Sequence, residues 1–498
     1  MSQEIIDSHG SKSEEPEKDE SKKPDDGDEA PHSVYLKTEK LLIVAMASFA
    51  SFFSSVSSPI YLPAIPQLEV DFNQSTEMIN LTITMYSIFQ GLGPAFWSPI
   101  ADSLGRRPVY IMCFVIYIGA NIGLALSRWY WMLFALRCVQ AAGIASTVAI
   151  GAGLVADITE RKERGMYMGI FTGLGLIGNA FGPLIGGGLD KSLGWRSIFW
   201  FLVIAAGTVL AFIIFSLPET NRFIAGNGSV IPDSVVNKSP YIFFRRKLTG
   251  VPCNSPKEAG LERHPLNILY SLRLFRYKDV IIVLIPNAIH YTAWFMMITA
   301  QSSLLSEKYH FNSSQIGLSY LSSGVGSIVG SLSSGKLMQI YYKKCMNDYK
   351  NRQQATGNDT EEFNIQKARL GISFYPCFGM ICACIVFGWT IQYNVHYVVP
   401  LLATAVASFT SITLINFVST LLVDLFPKDS ASSTASVNLS RCLVCAAGIA
   451  AVDSMMDAMG PGGAFTLMAG FCGLSMVCVV VELKYGPRWD RERRETTG

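Results

Sequence analysis

GIFTGLGLIGNAFGPLIGGGLD, residues 169–190, admits two readings that lead to different folds. Gly173-Leu-Gly175-Leu-Ile-Gly178 spells the G-x-G-x-x-G of a dinucleotide-binding turn. Such a turn needs a strand before it, a polar loop, and an acid about 20 residues further on. None is present: "MYMGIF" ahead of it continues a helix, and near residue 198 the chain reads "RSIFWF". On a helix turning about 100° per residue, Gly175, Gly178, Gly182 and Gly186 fall within an arc of about 80°. A face without side chains lets another helix lie almost backbone to backbone, and Gly187 widens it. Pro183 removes one backbone hydrogen bond and permits a kink, tolerable where neighbouring helices cover the freed carbonyl.

The rest of the chain favours the helix. Its 498 residues are 50% hydrophobic and only 16% charged, and the mean hydropathy is +0.31, too apolar for an ordinary soluble multidomain protein. Forty Lys+Arg against 38 Asp+Glu leave a net charge of +2, so no basic field points to nucleic acid. Apolar runs long enough to cross a bilayer, roughly 20 residues each, recur at 41–64, 76–99, 108–127, 130–155, 165–188, 197–217, 279–303, 314–341, 369–392, 396–425, 431–458 and 462–485. The expected architecture is an all-α polytopic membrane protein of twelve spans in two six-helix halves, 39–217 and 279–485. Residues 1–38 form a charged, Pro- and Ser-rich tail expected to be disordered. Residues 218–278 connect the halves, and 486–498 form a short tail. Within the connection, "NILYSLRLFRYKD" (267–279) reads either as an amphipathic helix on the membrane surface or as a solvated linker. No secretory signal or lipidation motif is expected.

Orientation follows from basic residues in the loops. Loops after even-numbered spans carry Arg106, Arg107, Arg161, Lys162, Arg164, Lys343, Lys344, Lys350, Arg352, Lys367 and Arg369; those after odd-numbered spans carry only Arg128, Lys191, Arg196 and Lys308. Both termini are therefore expected in the cytoplasm, with the sequons at Asn73 and Asn312 outside. Cysteine acts here as a small hydrophobe: most of the eleven lie inside apolar runs, and Cys442-x-x-Cys445 has neither a second pair nor a spaced histidine. No metal or cofactor is expected, and no nucleophile or paired-acid constellation suggests an enzyme.

Three motifs narrow the class. "SPIADSLGRRPV" (98–109) joins spans two and three: Pro99 and Gly105 shape a tight turn, Asp102 stands at the helix end, and Arg106 and Arg107 read as anchors in the headgroups. A carboxylate there suits the positive N-terminal end of a facing helix, such as span eleven near Ser430–Ser433. "FALRCVQAAGIAS" (134–146) buries Arg137 in span four, where a charge costs several kcal/mol unless paired or facing water; snorkelling to the interface is the plainer alternative. "GNAFGPLIGG" (178–187) is the third.

The first resembles the G-x-x-x-D-x-x-G-R-R/K signature of the major facilitator fold, with Ser98 in place of the first Gly. The second resembles the R-x-x-Q-G of proton-coupled members, with Ala141 in place of the Gly. The third matches the G-x-x-x-G-P-x-x-G-G of the drug:proton antiporter branch. With "SPIYLPAIPQL" (58–68), "GWRSIFWF" (194–201) and "LPET" (217–220), the N-terminal half resembles the fungal twelve-span drug:proton antiporters, especially the yeast branch of quinidine- and multidrug-resistance, polyamine and dityrosine exporters. The C-terminal half is looser: "GSLSSGKLMQIYYKK" carries Gln339 where a second loop acid is expected, and "VDLFPKDSASSTASVNLSRC" (423–442) resembles the connection into span eleven.

The resemblance implies proton-driven export of drugs, polyamines, amino acids or weak organic acids by a monomer, across the plasma membrane or an internal one. It places a cavity between spans one, four, seven and ten. Candidates there are Tyr61, Arg137, Gln140, His290, Tyr291, Trp294, Ser411, Thr413 and Asn416, whose aromatic faces suit amphiphilic or cationic compounds. Span one has no acid, so the proton carrier is sought among Asp102, Asp157, Asp453 and His290. A proton-independent facilitator or importer, and more remotely a membrane receptor, remain alternatives.

Overall fold

The computed structural model describes residues 33–497 apart from 160, 229, 231, 233, 241–273, 357–362 and 427–429. The readings of 1–32 and of most of 267–279 lie outside the described residues.

Among the described residues, eight helical stretches are long and apolar enough to cross a membrane: Lys37–Phe72, Arg106–Ala125, Tyr130–Ile158, Arg196–Ser216, Lys278–Tyr309, Ile365–Gln392, Val398–Leu425 and Ser433–Arg493. The last contains two passes, because Gly460 breaks it with φ 72°, a left-handed conformation that costs glycine little. Three further helices have spanning length but more Gly, Ser and Thr: Thr76–Leu104, Arg161–Leu193, and Ser313–Ser319 continued by Leu321–Thr356. They make spans two, five and eight and bring the count among the described residues to twelve. Their composition follows from position: they line the contact between the halves, and small residues there let backbones approach.

Caps start several of these helices. Ser75 accepts the Met78 N–H ahead of span two, and Asn312 and Gln315 cap span eight reciprocally. Span one is interrupted by a 3-10 turn, Pro59–Ala64, where the prolines of "SPIYLPAIP" remove ladder donors.

The halves repeat one packing plan. Spans one and five, three and six, and two and four pack together in the first half. In the second, span seven meets eleven where Gly448 faces Thr292 and Met296, nine meets twelve where Gly388 faces Pro461 and Phe465, and eight meets ten. The halves join through spans two with eleven and five with eight.

Two boundaries differ from the sequence reading. Span eight continues as helix to Thr356 through "YYKKCMNDYKNRQQ", a run of polar residues without Gly or Pro to end it, where a loop was expected. The last helix runs to Thr497 in place of a tail. Arg493 there bonds Asp279 at the start of span seven and Asp490 on its own helix, and lies over the Phe426 ring at 4.2 Å.

Candidate functional site

The turn between spans two and three lies at the end of the bundle that carries the chain termini. Gly105 separates the helices with φ 112°. A side chain there would be strained, and its Cβ would fall on the Glu219 carboxylate. Glu219, 3% exposed, accepts N–H groups from Arg106 at 2.9 Å, Arg107 at 3.2 Å, Thr220 at 3.0 Å and Asn221 at 2.9 Å. It therefore caps the positive N-terminus of span three. Burial pushes its carboxyl above the ordinary range, while the N–H donors of Asn221, Arg106 and Arg107 pull it back. Asn221 serves the other helix, its Nδ2 donating to the last carbonyls of span two, Ala101 at 3.2 Å and Asp102 at 2.8 Å.

The two arginines do not reach for headgroups: both are buried. Arg106 pairs with Asp102 at 2.7 Å and Asp157 of span four at 3.2 Å. Arg107 donates to the carbonyls of Lys238 at 2.7 Å and Ile214 at 2.5 Å, and to that of Val236. Asp102 thus pairs with Arg106, its neighbour at i+4. Sequence reasoning gave Glu219 no role, although its position directly after span six in "LPET" is a signal: an acid following a proline at a helix end has backbone donors within reach. Gly105→Ala is expected to lower the yield of folded protein several-fold, read as the monodisperse fraction after detergent extraction, since positive φ alone costs about 1–3 kcal/mol.

Arg137 lies at the centre of the first half, 0% exposed. Its Nη1 donates to the Ser57 carbonyl at 3.2 Å and to Gln140 Oε1 at 2.7 Å. Gln140 passes the chain on to Asn121 at 2.8 Å. The guanidinium carbon stands 4.3 Å from the Tyr61 ring centroid and 4.5 Å from that of Tyr86. Nε and Nη2 of Arg137 have no hydrogen-bond partner, and among the described residues no carboxylate pairs with this arginine. Snorkelling is excluded by the burial and by this network.

Across the interface, Arg441 of span eleven lies over the Tyr291 ring at 4.8 Å and donates to Asn438 Oδ1 at 3.1 and 2.7 Å. Asn438 Nδ2 in turn donates to the Gln90 carbonyl of span two at 3.0 Å. Span two, which carries Tyr86, packs against span eleven there, with Gly91 facing Cys442 and Leu439. Arg137, Gln140, Tyr61 and Tyr291 are thus brought to one region, together with Tyr86 and Arg441, which sequence reasoning missed. The Tyr61 and Tyr291 rings, read as receivers for cationic compounds, each carry one of the protein's own arginines over one face.

Of the other candidates, Trp294 adjoins this region through Tyr291. Trp294 donates to Ser323 at 3.1 Å and touches Tyr291 edge-on. Thr413 bonds the carbonyls of Phe409 at 2.7 Å and Gly330 at 3.4 Å, and Asn416 bonds Ser334 at 2.8 Å, so both bond to span eight. Ser411 is buried without a partner. His290 is buried against the backbone of Cys472 of span twelve.

At the end opposite the termini the halves are latched. Asn80 donates to Asp453 at 2.6 Å, Ser302 to the Leu62 carbonyl at 2.7 Å, and Ser314 to the Gly187 carbonyl at 3.3 Å. The glycine seam lies between spans. A Cβ on Gly178 would stand 2.9 Å from the Phe52 carbonyl oxygen, one on Gly182 would stand 3.2 Å from that of Val56, and one on Gly186 would fall on that of Ile60. Gly187 faces Ser313 of span eight, and the Pro183 carbonyl faces Gly317.

Twelve spans in two repeated halves around a buried charge define a polytopic transporter. The sequence profile of the Major Facilitator Superfamily matches residues 47–449, and the chain belongs to that family. It is 37% identical over 461 residues to the "MFS antiporter QDR2" of Candida albicans, covering 92% of this chain and 90% of that one. It is 38% identical to "Citrate exporter 1" of Aspergillus niger, covering 93% and 90%, and 34% identical to "Quinidine resistance protein 1" of Saccharomyces cerevisiae, covering 94% and 86%. The human organic anion transporter MFSD10 (TETRAN) shares the fold, with TM-score 0.57 at 17% identity over 90% of this chain and 99% of that one.

Proposed function

We propose that the chain is a proton-driven exporter of small organic compounds, working as a monomer in the plasma membrane with both termini in the cytoplasm. The observation that carries the reading is Arg137: a wholly buried charge with two nitrogens lacking a hydrogen-bond partner, at the centre of the first half of a spanning bundle. A charge so placed marks a substrate or ion pathway, and the relatives are named as an antiporter, a citrate exporter and a drug-resistance protein. In this orientation the Asn80 to Asp453 contact closes the outer end, and the Asp102, Arg106 and Asp157 network steadies the cytoplasmic turn. Asp453, Asp102, Asp157 and His290 are the groups that could pass the proton.

Cells expressing the chain should release preloaded labelled citrate or quinidine faster than cells lacking it, and a protonophore should remove the difference. Release unaffected by the protonophore would favour a proton-independent facilitator. Asp102→Asn should lower release two- to ten-fold at equal surface abundance, because Arg106 keeps Asp157 but loses its closer partner; unaltered release would remove Asp102 from the gating turn.

A further inference from the structure

The two halves fasten the end that carries the chain termini by opposite means. After span six the helix stops at Ser216, and the Glu219 carboxylate closes on the backbone donors of span three. After the apolar part of span twelve the helix continues, and the face it turns inward is polar. At about 100° per residue, Glu482, Gly486, Asp490 and Arg493 fall within an arc of about 80°. Glu482, Gly486 and Asp490 are buried, while Lys484, Tyr485, Arg488 and Arg491 on the other side are exposed. Gly486 lets this helix approach the start of span nine, where an added Cβ would stand 3.2 Å from Gln366 Cγ. Arg493 bonds Asp279 in the first turn of span seven and Asp490 on its own helix, and the three side chains are only 9%, 3% and 8% exposed. Its guanidinium carbon lies 4.2 Å from the ring centroid of Phe426, just past span ten, and 5.6 Å from that of Tyr277.

We infer that Arg493 is a positioning residue for transport: it straps the last helix across the first turn of span seven and the end of span ten, so that these ends move as one body with span twelve. The strap joins helix ends of opposite polarity. Asp279 is the second residue of span seven, where a carboxylate suits the N-terminal dipole, and Arg493 lies close to the end of the last helix, where a cation suits the C-terminal one. One planar guanidinium serves both buried carboxylates, which a point charge does poorly. Without it, Asp279 and Asp490 would be left as like charges out of water, and that cost holds in place a segment that at a chain end would otherwise fray. Span seven is thereby fixed at both ends. Its far end is tied to the first half by Ser302, which donates to the Leu62 carbonyl at 2.7 Å. Between the two ties stands Pro286, where the helix lacks a ladder donor and can bend. With the strap closed, a shift of the last helix is carried along span seven to the latch on the first half; with it open, bending at Pro286 absorbs the shift.

The proposal rests on the exporter reading for the effect on rate, but not for the hold on span seven. The test follows hydrogen–deuterium exchange of the purified full chain in residues 279–285 and 298–308, beside efflux of labelled citrate or quinidine normalised to surface abundance. Arg493→Gln should speed exchange in 279–285 about ten-fold or more while leaving 298–308 within about two-fold. It should also lower the maximal efflux rate about five-fold, with the half-saturating concentration within about two-fold. Arg493→Lys, which keeps one carboxylate, should fall between the two. Asp279→Arg combined with Arg493→Asp again sets one guanidinium between two carboxylates; it should recover most of both losses, and supplies the answer should Arg493→Gln fold poorly. Exchange raised equally in both segments means a general loss of stability and overturns the proposal, as does exchange in 279–285 that stays at the native rate, or native efflux from a variant in which 279–285 has loosened. A native chain that moves neither compound while Arg493→Gln loosens 279–285 alone upholds the strap and counts against the exporter reading; native export with both segments unmoved in Arg493→Gln does the reverse.

Discussion

Gly186→Leu is expected to abolish transport, at least a ten-fold loss at equal protein in the membrane. Gly186 faces the backbone of the 3-10 turn Pro59–Ala64 in span one, and an added Cβ would fall on the Ile60 carbonyl. The obstacle is main chain, so no side-chain rotation relieves it: spans one and five must separate or the prolyl turn must move. That turn carries Tyr61, whose ring lies over Arg137, so the displacement reaches the buried charge. The seam predicts a gradient. At Gly182 the nearest oxygen is 3.2 Å from an ideal Cβ, so Gly182→Ala should lose about two-fold or less, whereas Gly182→Leu should fall close to Gly186→Leu. Efflux normalised to surface abundance measures both, and full activity in Gly186→Leu would refute the close-packing account of span five.

Arg137→Ala carries the second large effect, a loss of transport of about 100-fold or more. The substitution removes the charge, frees the Ser57 carbonyl and Gln140 Oε1, and leaves a space between Tyr61 and Tyr86. Truncating a buried polar group that holds others costs several kcal/mol of interaction, and here the losses fall on one network. Arg137→Lys should not rescue, because an ammonium cannot lie flat between two rings while donating in two directions. Transport by either variant within two-fold of the native chain would show that Arg137 is a packing residue. Folding is checked separately by monodispersity, since loss of protein in both variants would place the role in assembly.

The twelve spans were legible because hydrophobic runs and loop charges are set by the bilayer, which acts on sequence one segment at a time. The glycine stripe was legible for the same reason: period and composition are local. What escaped was contact across distance. Glu219 looks like a loop acid until the fold returns it to Gly105, more than a hundred residues earlier. Arg106 and Arg107 read as headgroup anchors, yet the same fold supplies Asp157 and the carbonyls of Ile214 and Lys238, and they turn inward. Arg441 sits among small and polar residues near the start of span eleven, and only the opposing half reveals what it faces. Thr413 and Asn416 were placed by span number alone, which does not specify a helix face; their side chains bond to span eight. The ends of span eight and of the last helix were misjudged because apolarity stops at the membrane while helix propensity does not.

We propose that the bundle around Arg137 moves its substrate at the expense of a proton gradient. The purified chain in sealed liposomes, with a pH gradient imposed and labelled citrate and quinidine offered in turn, tests it most directly. The account predicts accumulation of a substrate against its own gradient, proton movement in the opposite direction reported by an internal pH dye, and loss of both on collapsing the gradient or in Arg137→Ala. Accumulation indifferent to the gradient, or gradient-driven movement that survives Arg137→Ala, would contradict it.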